Sequence, residues 1–71
     1  MKLPRDLSGW KVVNARKRLG FTPTNQEGSH IRLTKGRLKV TVPNHAAILP
    51  KTLKSILRQA EITIDDLMSA I

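Results

Sequence analysis

The sequence predicts a two-layer α+β domain of order α-β-β-β-α-α, with helices covering one face of a three-stranded antiparallel sheet. Three observations carry that expectation. Apolar residues recur at helical spacing toward both ends of the chain, HIRLT and RLKVTV alternate apolar with polar residues, and glycine-bearing turns separate the strands. With 71 residues there is room for a single domain, residues 1–71, and for a modest core.

The first helix is expected to open at Ser8, whose hydroxyl can accept from an unpaired amide of the first turn, and to close at Gly20. Val12, Ala15 and Leu19 form its stripe, which Trp10 and Val13 should widen and Arg16 narrows. Lys17 and Arg18 lie in the last turn, where positive charge complements the helix dipole. FTPTNQ follows as a strand, but Pro23 has no amide to give to a ladder, which points to an edge or bent strand. In HIRLT, Ile31 and Leu33 fall on one face and His30, Arg32 and Thr34 on the other. RLKVTV repeats the pattern, with Leu38, Val40 and Val42 inward and Arg37, Lys39 and Thr41 outward. Turns are expected at Glu27-Gly28 and Lys35-Gly36. Pro43 ends the third strand. Pro50 suits the first turn of a helix through KTLKSILRQA, whose stripe is Leu53, Ile56, Leu57 and Ala60. Thr63 and Asp66 have capping-box spacing for a last short helix, striped by Ile64, Leu67, Met68 and Ile71.

Charge is the strongest global signal. The net charge is +8, and all thirteen Lys and Arg fall before residue 59, opposed there only by Asp6 and Glu27. Such a surface attracts polyanions and releases their counterions, which favours a nucleic-acid partner over an acidic protein. The absence of cysteine removes disulfides and thiolate metal sites and is compatible with the cytoplasm. No apolar run is long enough for a signal peptide or a membrane span, so a soluble cytoplasmic protein with no membrane partner is expected. Two histidines and scattered carboxylates make a poor ligand set, and no metal or cofactor is expected.

His30 stands on the wet face of a strand, just after Gly28-Ser29. An imidazole both accepts and donates protons near neutral pH, and RNA carries its own nucleophile in the 2′-hydroxyl. By spacing alone, an outward strand histidine is more often an ordinary surface residue. His45, in the connection after Pro43, is expected to satisfy backbone groups or to meet a partner before it serves catalysis. Trp10 and Phe21 are the only aromatics, and both are assigned to the core rather than to base stacking.

Taken in order, several segments resemble the HicA family, the small RNA-cleaving toxins of type II toxin–antitoxin pairs. They are Leu19-Gly20-Phe21, Gly28-Ser29-His30, Val42-Pro43-Asn44-His45, Lys51-Thr52-Leu53 through Ile56-Leu57-Arg58-Gln59-Ala60, and Ile64 to Leu67. Lys51 and Glu61 stand where the family commonly has glycine, and Arg16 where an apolar residue is usual. The resemblance implies a double-stranded-RNA-binding-domain-like fold and a metal-independent endoribonuclease acting on mRNA. It further implies His30 as the catalytic residue and a HicB-type antitoxin as partner. On that basis His30 is expected to act as general acid or base and Arg32, on the same strand face, to contact phosphate. Arg37 and Lys39 would extend the RNA track. Ser29 could bond near the scissile group, although a turn-capping role suits it better. The competing expectations are a non-catalytic RNA-binding module and a subunit that docks an acidic protein.

Overall fold

Capping chemistry sets the ends of each helix in the computed structural model, which describes residues 3–71. Helix α1 (Gly9–Leu19) begins where the Ser8 hydroxyl accepts the Lys11 amide at 3.2 Å. It ends at Gly20, which takes the left-handed conformation while the Phe21 amide donates back to the Arg16 carbonyl at 2.9 Å. The Lys35 ammonium binds the Leu19 carbonyl at 2.9 Å and completes this C-terminus. Helix α2 (Pro50–Ala60) starts on its proline, and helix α3 (Ile64–Ala70) starts on the complete Thr63–Asp66 capping box.

Between α1 and α2 lie β1 (Thr22–Glu27), β2 (His30–Lys35) and β3 (Leu38–Pro43), an antiparallel meander in the order β1-β2-β3. The predicted order and class hold. Ile31, Leu33, Val40 and Val42 point from β2 and β3 into a core completed by Val12, Val13 and Ala15 of α1, Leu53 and Ile56 of α2, and Ile64 and Leu67 of α3. Phe21 belongs to this core, as expected. No polar or charged residue among those described is buried. The outer face of β2 and β3 carries His30, Arg32, Lys39 and Thr41. Strand β1 bends as Pro23 predicts, with a register shift between Pro23 and Asn25, and is exposed along its whole length.

Four details depart from the sequence reading. Trp10 is 57% exposed rather than in the core. The buried arc of α1 runs from Ala15 through Val12 and Gly9 to Val13, and position 10 falls outside it, on the solvent side, at roughly 100° per residue. Met68 and Ile71 are likewise largely exposed, leaving Ile64 and Leu67 to anchor α3. Both hairpin turns sit one residue later than expected, at Gly28-Ser29 and Gly36-Arg37, because Glu27↔His30 and Lys35↔Leu38 are the last paired residues. Both glycines take positive φ there, as two-residue hairpin turns demand. Arg37 is therefore a turn residue and not an outward strand residue.

Glu61 explains why glycine suits its position. It ends α2 in the left-handed conformation at φ 56°, the only non-glycine with positive φ among the described residues. The Ile62 amide reaches back to Leu57 at 3.1 Å, the same closure that Gly20 provides for α1. Lys51 follows Pro50 in the first turn of α2 without interrupting it. Arg16 is half-buried and turns its guanidinium onto the Val13 carbonyl at 3.0 Å.

Candidate nucleic-acid cleft

His30 opens β2, directly across from Glu27 of β1 on one side and Pro43 of β3 on the other. Residues paired this way share a sheet face, so an imidazole and a carboxylate stand side by side on the outer surface. The Glu27 carboxylate also accepts from the Asn25 side-chain amide, Nδ2, at 3.3 Å.

Beside β3 the sheet ends in a free edge, and α2 runs along it. The Gln59 side-chain oxygen accepts the Thr41 amide at 3.1 Å, satisfying an edge donor that has no strand partner. Thr52, Ser55 and Gln59 repeat at i, i+3 and i+7, so one polar flank of α2 faces β3. Between flank and strand lies a cleft of about 350 Å³, lined by His30, His45, Thr41, Pro43, Ile48, Leu49 and that polar flank. Both histidines of the chain thus border one space.

The backbone around His45 is pinned at three points. The Asn44 amide donates to the Ser29 carbonyl at 2.6 Å, the Gly9 amide to the His45 carbonyl at 2.9 Å, and the Ile48 amide to the Leu7 carbonyl at 2.7 Å. Gly9 is required for this closeness, since a Cβ there would overlap the Pro43 carbonyl oxygen. The turn before His30, the connection after β3 and the start of α1 are therefore locked together.

Thr41 also borders a second depression of about 310 Å³, formed by Thr24, Asn25, Arg32, Thr34 and Lys39. The two hollows meet at Thr41 along the outer face. In register, Asn25, Arg32 and Thr41 form one row across the sheet, and Thr34 and Lys39 pair in the next. The structure thus places His30 and His45 on one hollow and Arg32 and Lys39 on the other, with Thr41 bordering both. Arg37 lies apart in its turn and pairs with Glu61 at 3.7 Å, the one ion pair among the described residues. Ser29 is an exposed turn residue whose carbonyl serves the fold.

Sequence reasoning missed Gly9, Glu27, Thr52, Ser55 and Gln59. The polar i, i+3, i+7 series beside the apolar stripe of α2 was the available signal for the last three. Nothing local marks Gly9, because its neighbour is 34 or more positions away. Among the described residues, no three His, Cys, Asp or Glu side chains come together as a metal-binding group. Among those residues, too, no helix is long and apolar enough to cross a membrane.

No curated protein matches the chain in sequence. Residues 9–62, from the first residue of α1 to just past the end of α2, match the family model described as the HicA toxin of bacterial toxin–antitoxin systems. That match spans well over half of the chain and includes every residue of the cleft, so the protein belongs to the HicA toxin family.

Proposed function

We propose that this toxin is a metal-independent endoribonuclease that cleaves mRNA in the His30 cleft and is neutralised by a HicB-type antitoxin covering that face. The observation that carries the reading is the pairing of two imidazoles, His30 and His45, around one cleft that shares Thr41 with the Arg32–Lys39 hollow.

The chemistry needs little more. One imidazole removes the proton of the 2′-hydroxyl, whose oxygen attacks the adjacent phosphorus in line. The P–O5′ bond breaks, and the leaving 5′ oxygen takes a proton from the second group. The products are a 2′,3′-cyclic phosphate and a free 5′-hydroxyl. His30 is assigned the base role and His45 the acid role, and the reverse order serves equally if the RNA runs the other way. Each such proton transfer contributes about 10²–10⁴-fold. Arg32 and Lys39 stabilise charge on the phosphates, with Arg37 at the far end of the track and Ser29 beside His30. Membership of a toxin–antitoxin family implies an antitoxin partner, and a basic face of this kind suits an acidic inhibitor surface.

The test uses an oligoribonucleotide in EDTA beside the same strand with every 2′-oxygen methylated. Cleavage of the first to cyclic-phosphate ends, with the second intact, supports the mechanism. A requirement for added metal, or cleavage of the methylated strand, contradicts it. Binding of both strands without cleavage favours the non-catalytic RNA-binding module.

A further inference from the structure

Helix α1 divides cleanly into two faces. Gly9, Val12, Val13 and Ala15 are buried, while Trp10, Lys11, Asn14, Lys17 and Arg18 are exposed. With 3.6 residues per turn, these five exposed positions fall within roughly 120° of arc. The face holds three cations, no carboxylate, and the only tryptophan of the chain, 57% exposed.

An indole buries a large apolar area when it enters a core, so leaving it in solvent forgoes stabilisation that so small a core could use. The core fills without it. On its helix face Trp10 has only polar and charged neighbours, unlike the apolar centre of a protein–protein interface. An isolated flat ring flanked by cations is instead the arrangement that single-stranded nucleic acid uses, with a base stacked on the ring and the adjoining phosphates on the cations. The location agrees. Gly9, one residue before Trp10, bonds the carbonyl of His45 in the cleft wall, so the N-terminal end of α1 adjoins the cleft.

We infer that the exposed face of α1 is a second RNA-binding subsite, in which Trp10 stacks on an unpaired base while Lys11, Lys17 and Arg18 hold the flanking phosphates. The identity of the polymer rests on the ribonuclease reading of the cleft. The subsite itself rests on the geometry of α1.

Because Trp10 is the sole tryptophan and tyrosine is absent, its emission reports this face alone. The protein is titrated with a fully 2′-O-methylated, dye-labelled single strand, which lacks the nucleophile and stays intact. Dye anisotropy follows total binding, and tryptophan emission follows the subsite. The expected result is quenching that tracks anisotropy. Trp10→Ala weakens binding about tenfold and Trp10→Phe less, in line with the usual contribution of base stacking. Lys17→Ala with Arg18→Ala lowers the slope of log affinity against log salt by roughly 1.4, about 0.7 for each phosphate contact to a single strand. Trp10 is exposed, so folding of its variants is expected and is checked by circular dichroism. The wild-type emission carries the test even if a variant unfolds. Rising anisotropy with unchanged emission, and Trp10→Ala binding as wild type, overturns the subsite while the cleft reading stands. No change in either signal overturns both. Emission that responds only to an acidic protein partner overturns the inference in favour of protein docking.

Discussion

The Gly9 amide donates to the His45 carbonyl at 2.9 Å, and Gly9 packs so closely that its missing side chain would fall on the Pro43 carbonyl. The start of α1 thereby fixes the backbone of His45, whose side chain borders the cleft, although neither residue is near the other in sequence.

Gly9→Ala tests this contact. In an exposed helix alanine is the better residue by about 1 kcal/mol, but here the added methyl must displace backbone, which costs about 1–3 kcal/mol. Denaturant unfolding is expected to show net destabilisation, with a loss of cleavage larger than the fraction unfolded explains. A variant as stable as wild type would mean that α1 can shift away from Pro43 freely.

At the C-terminal end of α2, Glu61 is expected to be an improvable residue. It holds φ 56°, where a β-carbon is strained and glycine is not. Glu61→Gly also removes the exposed ion pair with Arg37, which contributes little. Relief of left-handed strain, about 1–2 kcal/mol, outweighs the roughly 0.5–1 kcal/mol that glycine's extra chain entropy costs. A net stabilisation of about 0.5–1 kcal/mol is therefore expected, read as a higher midpoint in thermal or urea unfolding. A lower midpoint would show that the Arg37 contact outweighs the backbone strain.

Salt dependence separates the basic residues. Arg32 and Lys39 border the hollow that shares Thr41 with the His30 cleft, whereas Arg37 occupies a turn beside Glu61. Arg32→Ala and Lys39→Ala should each lower the slope of log affinity against log salt by about 0.7 for a single strand. Arg37→Ala should change it less. Equal effects of all three would point to a diffuse electrostatic attraction rather than a track.

Much of this architecture is legible in the residues because its determinants are local. Ser8, Gly20, Pro50 and the Thr63–Asp66 pair mark helix ends through contacts a few positions long, and the alternation in HIRLT and RLKVTV places His30 and Arg32 outward. The misplaced features depend on register or on distant packing. Each hairpin turn moves by one residue because the ladder extends to Glu27↔His30 and Lys35↔Leu38. That shift takes Arg37 out of the strand. Trp10 reads as core by its chemistry, yet its angular position on α1 turns it to solvent. The presence of His45 in the cleft requires two tertiary events, docking of α2 along the β3 edge and the close approach of Gly9. The polar i, i+3, i+7 series on α2 is the one signal of the first, and no pattern in the chain announces the second.

The most direct measurement compares wild type, His30→Ala and His45→Ala on a long mRNA in EDTA, with cleavage followed on a gel and folding checked by circular dichroism. The account predicts that wild type cuts without metal and that folded His30→Ala loses about 10²–10⁴-fold in rate, with His45→Ala impaired to a comparable degree. A folded His30→Ala protein that cuts as fast as wild type would contradict the assignment of the cleft as the catalytic centre.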